Sequence, residues 1–283
     1  MLDEVTAALT QSFELVDAPE GADGVLSLLT STVDAAFLDR VGPQLRVVAN
    51  YAVGVNNIDL RAAAERDVVV ANTPDVLTRT TAELAVGLML ALLRRIAEGD
   101  RFVRRRAEWE FSLEFMLGSS LDRKRVLIVG PGRIGRETAR LADAFGATAS
   151  FASRVDDLRA LLAEADVVSL HVPLTDGTRH LIGAGELEAM RPTAVLVNTA
   201  RGPIVDESAL VTALRDGVVA GAALDVFERE PEVEDGLLGL ENVVLTPHLG
   251  SATRDTRIAM GMLCVEALRA VLLEGRRPAN AVG

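Results

Sequence analysis

Four side chains suited to carbonyl chemistry each follow a short apolar run of β-forming residues. Arg201 follows residues 194–199, Asp225 and Glu230 follow 220–224, and His248 follows 243–246. Ligands of open parallel sheets bind beyond the carboxyl ends of the strands, so these side chains are expected to converge on one edge. An arginine can hold an anionic substrate through its planar fork. A histidine can give or take the proton of a C–OH/C=O pair, and a carboxylate can keep it protonated and oriented. One histidine after a strand is ordinarily structural; a cation, a carboxylate and an imidazole at three strand ends favour chemistry.

A second constellation lies upstream. Residues 126–129 (VLIV) lead directly into Gly130-Pro131-Gly132-Arg133-Ile134-Gly135, and a helical stretch follows to Phe145. A G-x-G-x-x-G between a strand and a helix is the context of a dinucleotide site. Gly130 allows the tight turn, Gly132 lets backbone approach a pyrophosphate, and Gly135 lets the helix pack close to the strand. The helix N-terminus then offers unpaired N–H groups to the phosphates. The next strand, 148–152, ends at Ser153-Arg154. NAD sites usually place an acid about 20 residues past the glycines. An arginine there suits a 2′-phosphate, so NADP(H) is the expected coenzyme and NAD(H) the alternative, with Asp156 and Asp157 close by.

The elements that must position these groups alternate along the chain. Apolar runs at 25–29, 45–49, 68–71, 126–129, 148–152, 167–172, 194–197, 220–224 and 243–245 are separated by helical patterns such as 156–165 and 207–215. The runs are continuous, as strands buried on both faces of a parallel sheet should be. The fold class expected is α/β, with two doubly wound parallel-sheet domains joined by long helices. Residues 80–106 read as one long connecting helix, with Leu84, Leu88, Leu92 and Ile96 on one stripe. Its arginines (94, 95, 101, 104, 105 and 106) read as a solvated face. The division expected is 1–79 plus 251–283 against 80–250, with a final helix over about 253–274 returning to the first unit.

Composition removes other classes. The 283 residues carry 29 Lys and Arg against 41 Asp and Glu, a net charge of −12. A nucleic-acid binder needs excess positive charge. Hydrophobic residues make up 49% of the chain, which argues against disorder. A single cysteine, Cys264, excludes an intramolecular disulfide. The longest apolar run, 84–93, is half of what a bilayer requires. The segment MLDEVTAALT lacks a basic n-region, so a cytoplasmic protein is expected.

The segments NTARGPIVDE (198–207), LDVFEREP (224–231) and TPHLGSAT (246–253), with GPGRIG, closely resemble the D-isomer-specific 2-hydroxyacid dehydrogenases. NYAVGVNNIDL (50–60) and NTPDVLTRTTAEL (72–84) resemble the glyoxylate/hydroxypyruvate reductase branch. The resemblance implies a flavodoxin-like substrate domain built from both termini, a Rossmann coenzyme domain and a homodimer. It also implies reduction of a small 2-oxo acid to the D-2-hydroxy acid, without a metal. Arg201 then binds the substrate carboxylate and carbonyl, Glu230 rather than Glu228 pairs with the histidine, and His248 is the acid/base. The backbone of Val53 and Gly54 grips the carboxylate, and Asp225 holds the nicotinamide amide. Arg133, Ile134, Val172, Pro173, Thr178, Thr199, Ala200, His248 and Gly250 complete the coenzyme contacts. Phosphoglycerate or phosphite dehydrogenase is the alternative enzyme, with Arg46 and Arg79 as the cations a phosphorylated substrate would want. A non-catalytic, NAD(H)-sensing corepressor-like protein is the alternative from another class. The chain departs from the family twice. It opens on a helix, so a central strand of the substrate domain is expected to be absent. The segment after Arg154 is short.

Overall fold

The computed structural model describes residues 1–282 and divides into two compact units, Met1–Leu77 with Ser251–Gly283, and Thr78–Gly250. The chain begins α1 (Asp3–Thr10), β1 (Gly24–Ser27), α2 (Ala35–Val41), β2 (Val47–Asn50), α3 (Leu60–Ala64) and β3 (Val69–Ala71). It continues α4 (Thr78–Leu93), α5 (Ile96–Arg104), β4 (Arg125–Val129), α6 (Arg133–Ala144), β5 (Thr148–Ala152), α7 (Leu158–Leu162) and β6 (Val167–Leu170). Then come α8 (Ala184–Ala189), β7 (Val195–Asn198), a 3₁₀ turn (Gly202–Ile204), α9 (Glu207–Arg215), β8 (Gly221–Leu224), α10 (Asp235–Leu238) and β9 (Val243–Leu245). The chain closes with α11 (Arg254–Leu272) and β10 (Ala281–Val282).

In the first unit the sheet order is β1-β2-β3-β10, parallel except for the antiparallel β10, which the sequence reading missed. Two residues after a Pro-Ala-Asn turn carry too little pattern to read. The chain opens on α1, and β1 is an edge strand, with β2 as its one neighbour among the described residues. The expected final helix is α11, N-capped by the Thr253 hydroxyl, and its buried face includes Met260, Cys264 and Leu268.

The second unit is a six-stranded parallel sheet in the order β5-β4-β6-β7-β8-β9. Strand alternation explains the continuous apolar runs. Val126 and Ile128 join one core with Met89 of α4, whereas Leu127 and Val129 join the other with Leu170, Leu196 and Leu210. Full burial of each such side chain contributes about 1.5–3 kcal/mol. β5 is the exception: as an edge strand it leaves Thr148, Ser150 and Phe151 exposed.

The expected single helix over 80–106 is corrected to α4 and α5. Arg95 takes a left-handed φ of 53°, and its guanidinium closes on both carboxylate oxygens of Glu98 at 2.7 and 2.6 Å. The Leu93 carbonyl turns to accept from the Ser119 N–H at 2.8 Å, with Gly118 packed directly against it. The apolar stripe ends there, and Ile96 is 57% exposed. Arg94, Arg104, Arg105 and Arg106 are exposed, as a solvated face requires, and Arg101 and Arg105 both pair with Glu241.

Candidate active site

The glycine motif forms the turn expected of it. Gly130 has φ 103° and lies against the His171 backbone, where a Cβ would sit 2.8 Å from the carbonyl. A Cβ on Gly135 would fall 2.2 Å from the Gly130 oxygen, so only glycine allows α6 this close to β4. Gly132 is the N-cap of α6, makes no side-chain cap, and has nothing within 4 Å of a would-be Cβ. The chain leaves β4 for β5 on one side and β6 on the other, so the turn stands at the sheet's topological switch point. The uncapped N–H groups and the open approach at Gly132 fit a pyrophosphate. At the end of β7 the buried Thr199 hydroxyl has no hydrogen-bond partner among the described residues. Ser153, at the end of β5, donates from N and Oγ to Asp156 Oδ2, both at 2.7 Å, and Arg154 is exposed beside it. The Thr178 hydroxyl is used within its own turn, donating to the Pro173 carbonyl at 2.6 Å.

Past β7, β8 and β9 lie the other groups. Arg201 is set by Asn198, whose side chain donates to the Arg201 carbonyl (2.9 Å) and accepts from the Ala200 N–H (3.0 Å). Burial pulls the Arg201 guanidinium below its ordinary range, and the charge of Glu230 opposes that. It stays a cation, because an arginine does not lose its proton in a protein. Glu230 accepts from the Phe227 N–H at 3.0 Å through Oε1, and its Oε2 lies 2.7 Å from His248 Nδ1. Burial pushes its carboxyl up, but the His248 hydrogen bond and charge, the Phe227 amide and Arg201 outweigh this and hold it below the usual range. Glu228 turns the other way and meets His180 Nε2. His248 itself has φ 54°, a conformation few non-glycine residues adopt and one enriched at functional sites.

The turn that carries His248 hangs from Asp225. That carboxylate is fully buried and accepts from Thr246 Oγ1 (2.6 Å), Leu249 N (2.7 Å) and Gly250 N (2.8 Å). The sequence reading assigned Asp225 a coenzyme contact and missed this anchoring, along with Asn198. Both are polar residues ending or following an otherwise apolar strand, which is the one local signal they carry.

In the first unit the Val53 carbonyl accepts from Asn72 Nδ2 (2.7 Å) and the Gly54 carbonyl from Asn50 Nδ2 (2.8 Å). Asn50 is fully buried and held by Ser27. With both carbonyls fixed, the two consecutive N–H groups have no acceptor among the described residues. Arg46 is spent on the Val271 carbonyl (2.8 Å), and Arg79 on Glu83 and Glu137 (2.6 and 2.9 Å). Neither remains as the extra cation that a phosphorylated substrate would want.

Residues 86–250, more than half of the chain, match the family "D-isomer specific 2-hydroxyacid dehydrogenase, NAD binding domain". The glyoxylate reductase of Thermococcus litoralis is 44% identical over 287 residues, spanning 95% of this chain and 86% of its own. That of Aeropyrum pernix is 45% identical over 286 residues, spanning 95% and 85%. Among solved structures, the NADPH-dependent glyoxylate/hydroxypyruvate reductase of Sinorhizobium meliloti, in complex with NADP and malonate, superposes with a TM-score of 0.87. It is 34% identical and covers 100% of this chain and 94% of its own. The fold and these likenesses define a nicotinamide-dependent oxidoreductase. The chain belongs to the D-isomer-specific 2-hydroxyacid dehydrogenase family, on its glyoxylate reductase branch.

Proposed function

We propose that this enzyme reduces glyoxylate or hydroxypyruvate to the corresponding 2-hydroxy acid, with Arg201, Glu230 and His248 as its catalytic set. The observation that carries this reading is the 2.7 Å contact of His248 Nδ1 with Glu230, in the field of Arg201. A nicotinamide held at this site would supply the hydride. Arg201 binds the substrate carboxylate and polarises the carbonyl through a charge-assisted fork. His248 holds its proton on Nε2, because Nδ1 is committed to the carboxylate, and delivers it to the carbonyl oxygen. The ionised Glu230 accepts from Nδ1 and fixes the orientation of the ring. The substrate-binding assignment also includes the paired N–H groups of Val53 and Gly54 in the first unit.

The coenzyme grip is assigned to Gly130, Gly132, Arg133, Ile134 and Gly135 with Ser153, Arg154, Val172, Pro173, Thr178, Thr199 and Ala200. Asp225, His248 and Gly250 stand at the nicotinamide end. NADP(H) is proposed as the preferred form, supported by the exposed Arg154 at the end of β5. A second reading, NAD(H), is favoured by one specific observation. Asp156 closes on Ser153 and so brings a carboxylate to the place where NAD sites keep one. The reading includes a cytoplasmic homodimer. The lone buried cysteine suits a reducing compartment. The exposed Trp109, Phe111, Leu113 and Leu117 support a partner surface.

A panel of 2-oxo acids assayed in parallel with NADPH and NADH tests both parts. Glyoxylate or hydroxypyruvate should give the highest kcat/KM. A Kd for NADH equal to or below that for NADPH would reject the preference and leave the activity standing.

A further inference from the structure

His180 belongs to no part of the site described so far, yet it touches both loops that carry that site. Its backbone N–H donates to the Pro203 carbonyl at 2.8 Å, two residues past Arg201. The Ile182 N–H continues this pairing to Ile204 at 3.1 Å, and the Asp206 N–H returns to the Ile182 carbonyl at 3.0 Å. Its imidazole Nε2 meets Glu228 Oε1, two residues before Glu230. Asp206 Oδ2 lies 4.0 Å from its Nδ1, on the other side of the ring. The two loops also meet directly: a Cβ on Gly202 would fall 1.8 Å from the Phe227 carbonyl carbon. The Glu228 N–H is held by the buried Glu207 at 2.8 Å. These contacts fix the main chain of the Glu230 loop at its start. The side chain of Glu228 has His180 as its one hydrogen-bonding partner among the described residues.

We propose that His180 is a positioning residue that holds the Arg201 loop through its backbone and the Glu230 loop through its imidazole. This rests on the assignment of Arg201, Glu230 and His248 given above. The two halves of the clamp are separable, because asparagine or glutamine at position 180 keeps the N–H to Pro203. Loss of the imidazole therefore loosens the proton-delivering pair and spares the substrate clamp. The left-handed φ of 50° at His180 sets the choice of variant. Asparagine tolerates that conformation but is too short to reach Glu228. Glutamine places an amide N–H near the position of Nε2.

The experiment compares steady-state kinetics of His180→Asn, His180→Gln and His248→Asn with glyoxylate, alongside melting temperature and coenzyme Kd. In His180→Asn, kcat should fall by about tenfold from misplacement of the acid, with the KM for glyoxylate within about twofold. Coenzyme Kd and melting temperature should stay near wild type, and His180→Gln should recover most of kcat. The proposal is overturned if His180→Asn turns over like wild type, if its kcat and KM shift together, or if glutamine does no better than asparagine. Should asparagine prevent folding, glutamine alone decides: a folded His180→Gln with kcat as low as His248→Asn overturns the clamp. If His248→Asn itself keeps turnover, the assignment of the site has failed, and that result is distinct from a silent His180→Asn.

Discussion

Two glutamates two positions apart compete for the role beside His248, and geometry separates them. Glu230 turns inward to Nδ1 and Glu228 outward to His180. Replacing Glu230 by glutamine keeps the shape and removes the ionised partner of His248 Nδ1. The reductive kcat should therefore fall by about tenfold or more, while Glu228→Gln, which keeps a hydrogen-bonding group towards His180, stays near wild type; steady-state assays of both variants read the difference. His171 makes a separate prediction about stability. Burial pulls its imidazole down to about 4, and Ser169 Oγ lies 2.9 Å from its Nε2. A base depressed in the folded state is fully tolerated above its unfolded value of 6.5. As pH falls from there towards 4, the unfolded chain takes up the proton first and stability is lost, by about 2–3 kcal/mol across the window. His171→Gln keeps a hydrogen-bonding group and should flatten that part of the stability–pH curve. Urea titrations of both proteins between pH 7 and 4 check it, and parallel curves would mean that His171 is not the group responsible.

At the scale of elements, the strand–turn–helix of β4 and α6 carries the coenzyme assignment. Its three glycines are needed for different reasons. Gly135 answers to packing and Gly130 to its positive φ, but Gly132 has open space before it. Gly132→Ala should thus cost the fold only about 0.5–1 kcal/mol at an N-cap. If the pyrophosphate comes in over that backbone, the added methyl should weaken coenzyme binding by about tenfold or more. Calorimetric titration with an unchanged melting curve is the expected result. Undiminished affinity would move the phosphate site elsewhere. The break between α4 and α5 belongs to this scale too. A chain with a helix-like stripe from Leu84 to Ile96 stops at Leu93 because the segment at Gly118 and Ser119 takes over the carbonyl there.

For the whole molecule, the row of exposed apolar side chains between α5 and β4 is the most conspicuous surface. Phe111 is 82% and Leu113 86% exposed, and Trp109 stacks on Phe115 at 5.6 Å between centroids. Apolar side chains so fully exposed in one segment are the composition of a partner surface, and the homodimer proposed above assigns them that role. If they seat a second copy of the chain, Phe111→Asp with Leu113→Asp should convert a dimer to a monomer in sedimentation velocity. Each unit's own core should remain intact by circular dichroism. A monomeric wild type would remove this role.

Most of the α/β order was legible in the chain because its signal is local. Strands buried on both faces must be apolar throughout, and the nine runs fall on nine strands, of which the exposed edge strand β5 is the least apolar. The glycine turn is legible for the same reason, since tight turns and close approaches leave a mark at the residue itself. Arg201, Glu230 and His248 stood out because each follows a strand end in a distinctive segment. Hydrogen bonds between distant segments left no comparable mark. Nothing near Asp225 says that it will suspend Leu249 and Gly250, and nothing near Asn50 that it will fix the Gly54 carbonyl. The end of α4 depends on a partner 25 residues away in the chain, Gly118 against Leu93. Periodicity reports which face of an element is buried; which polar groups meet across the sheet edge is decided only when the chain has folded.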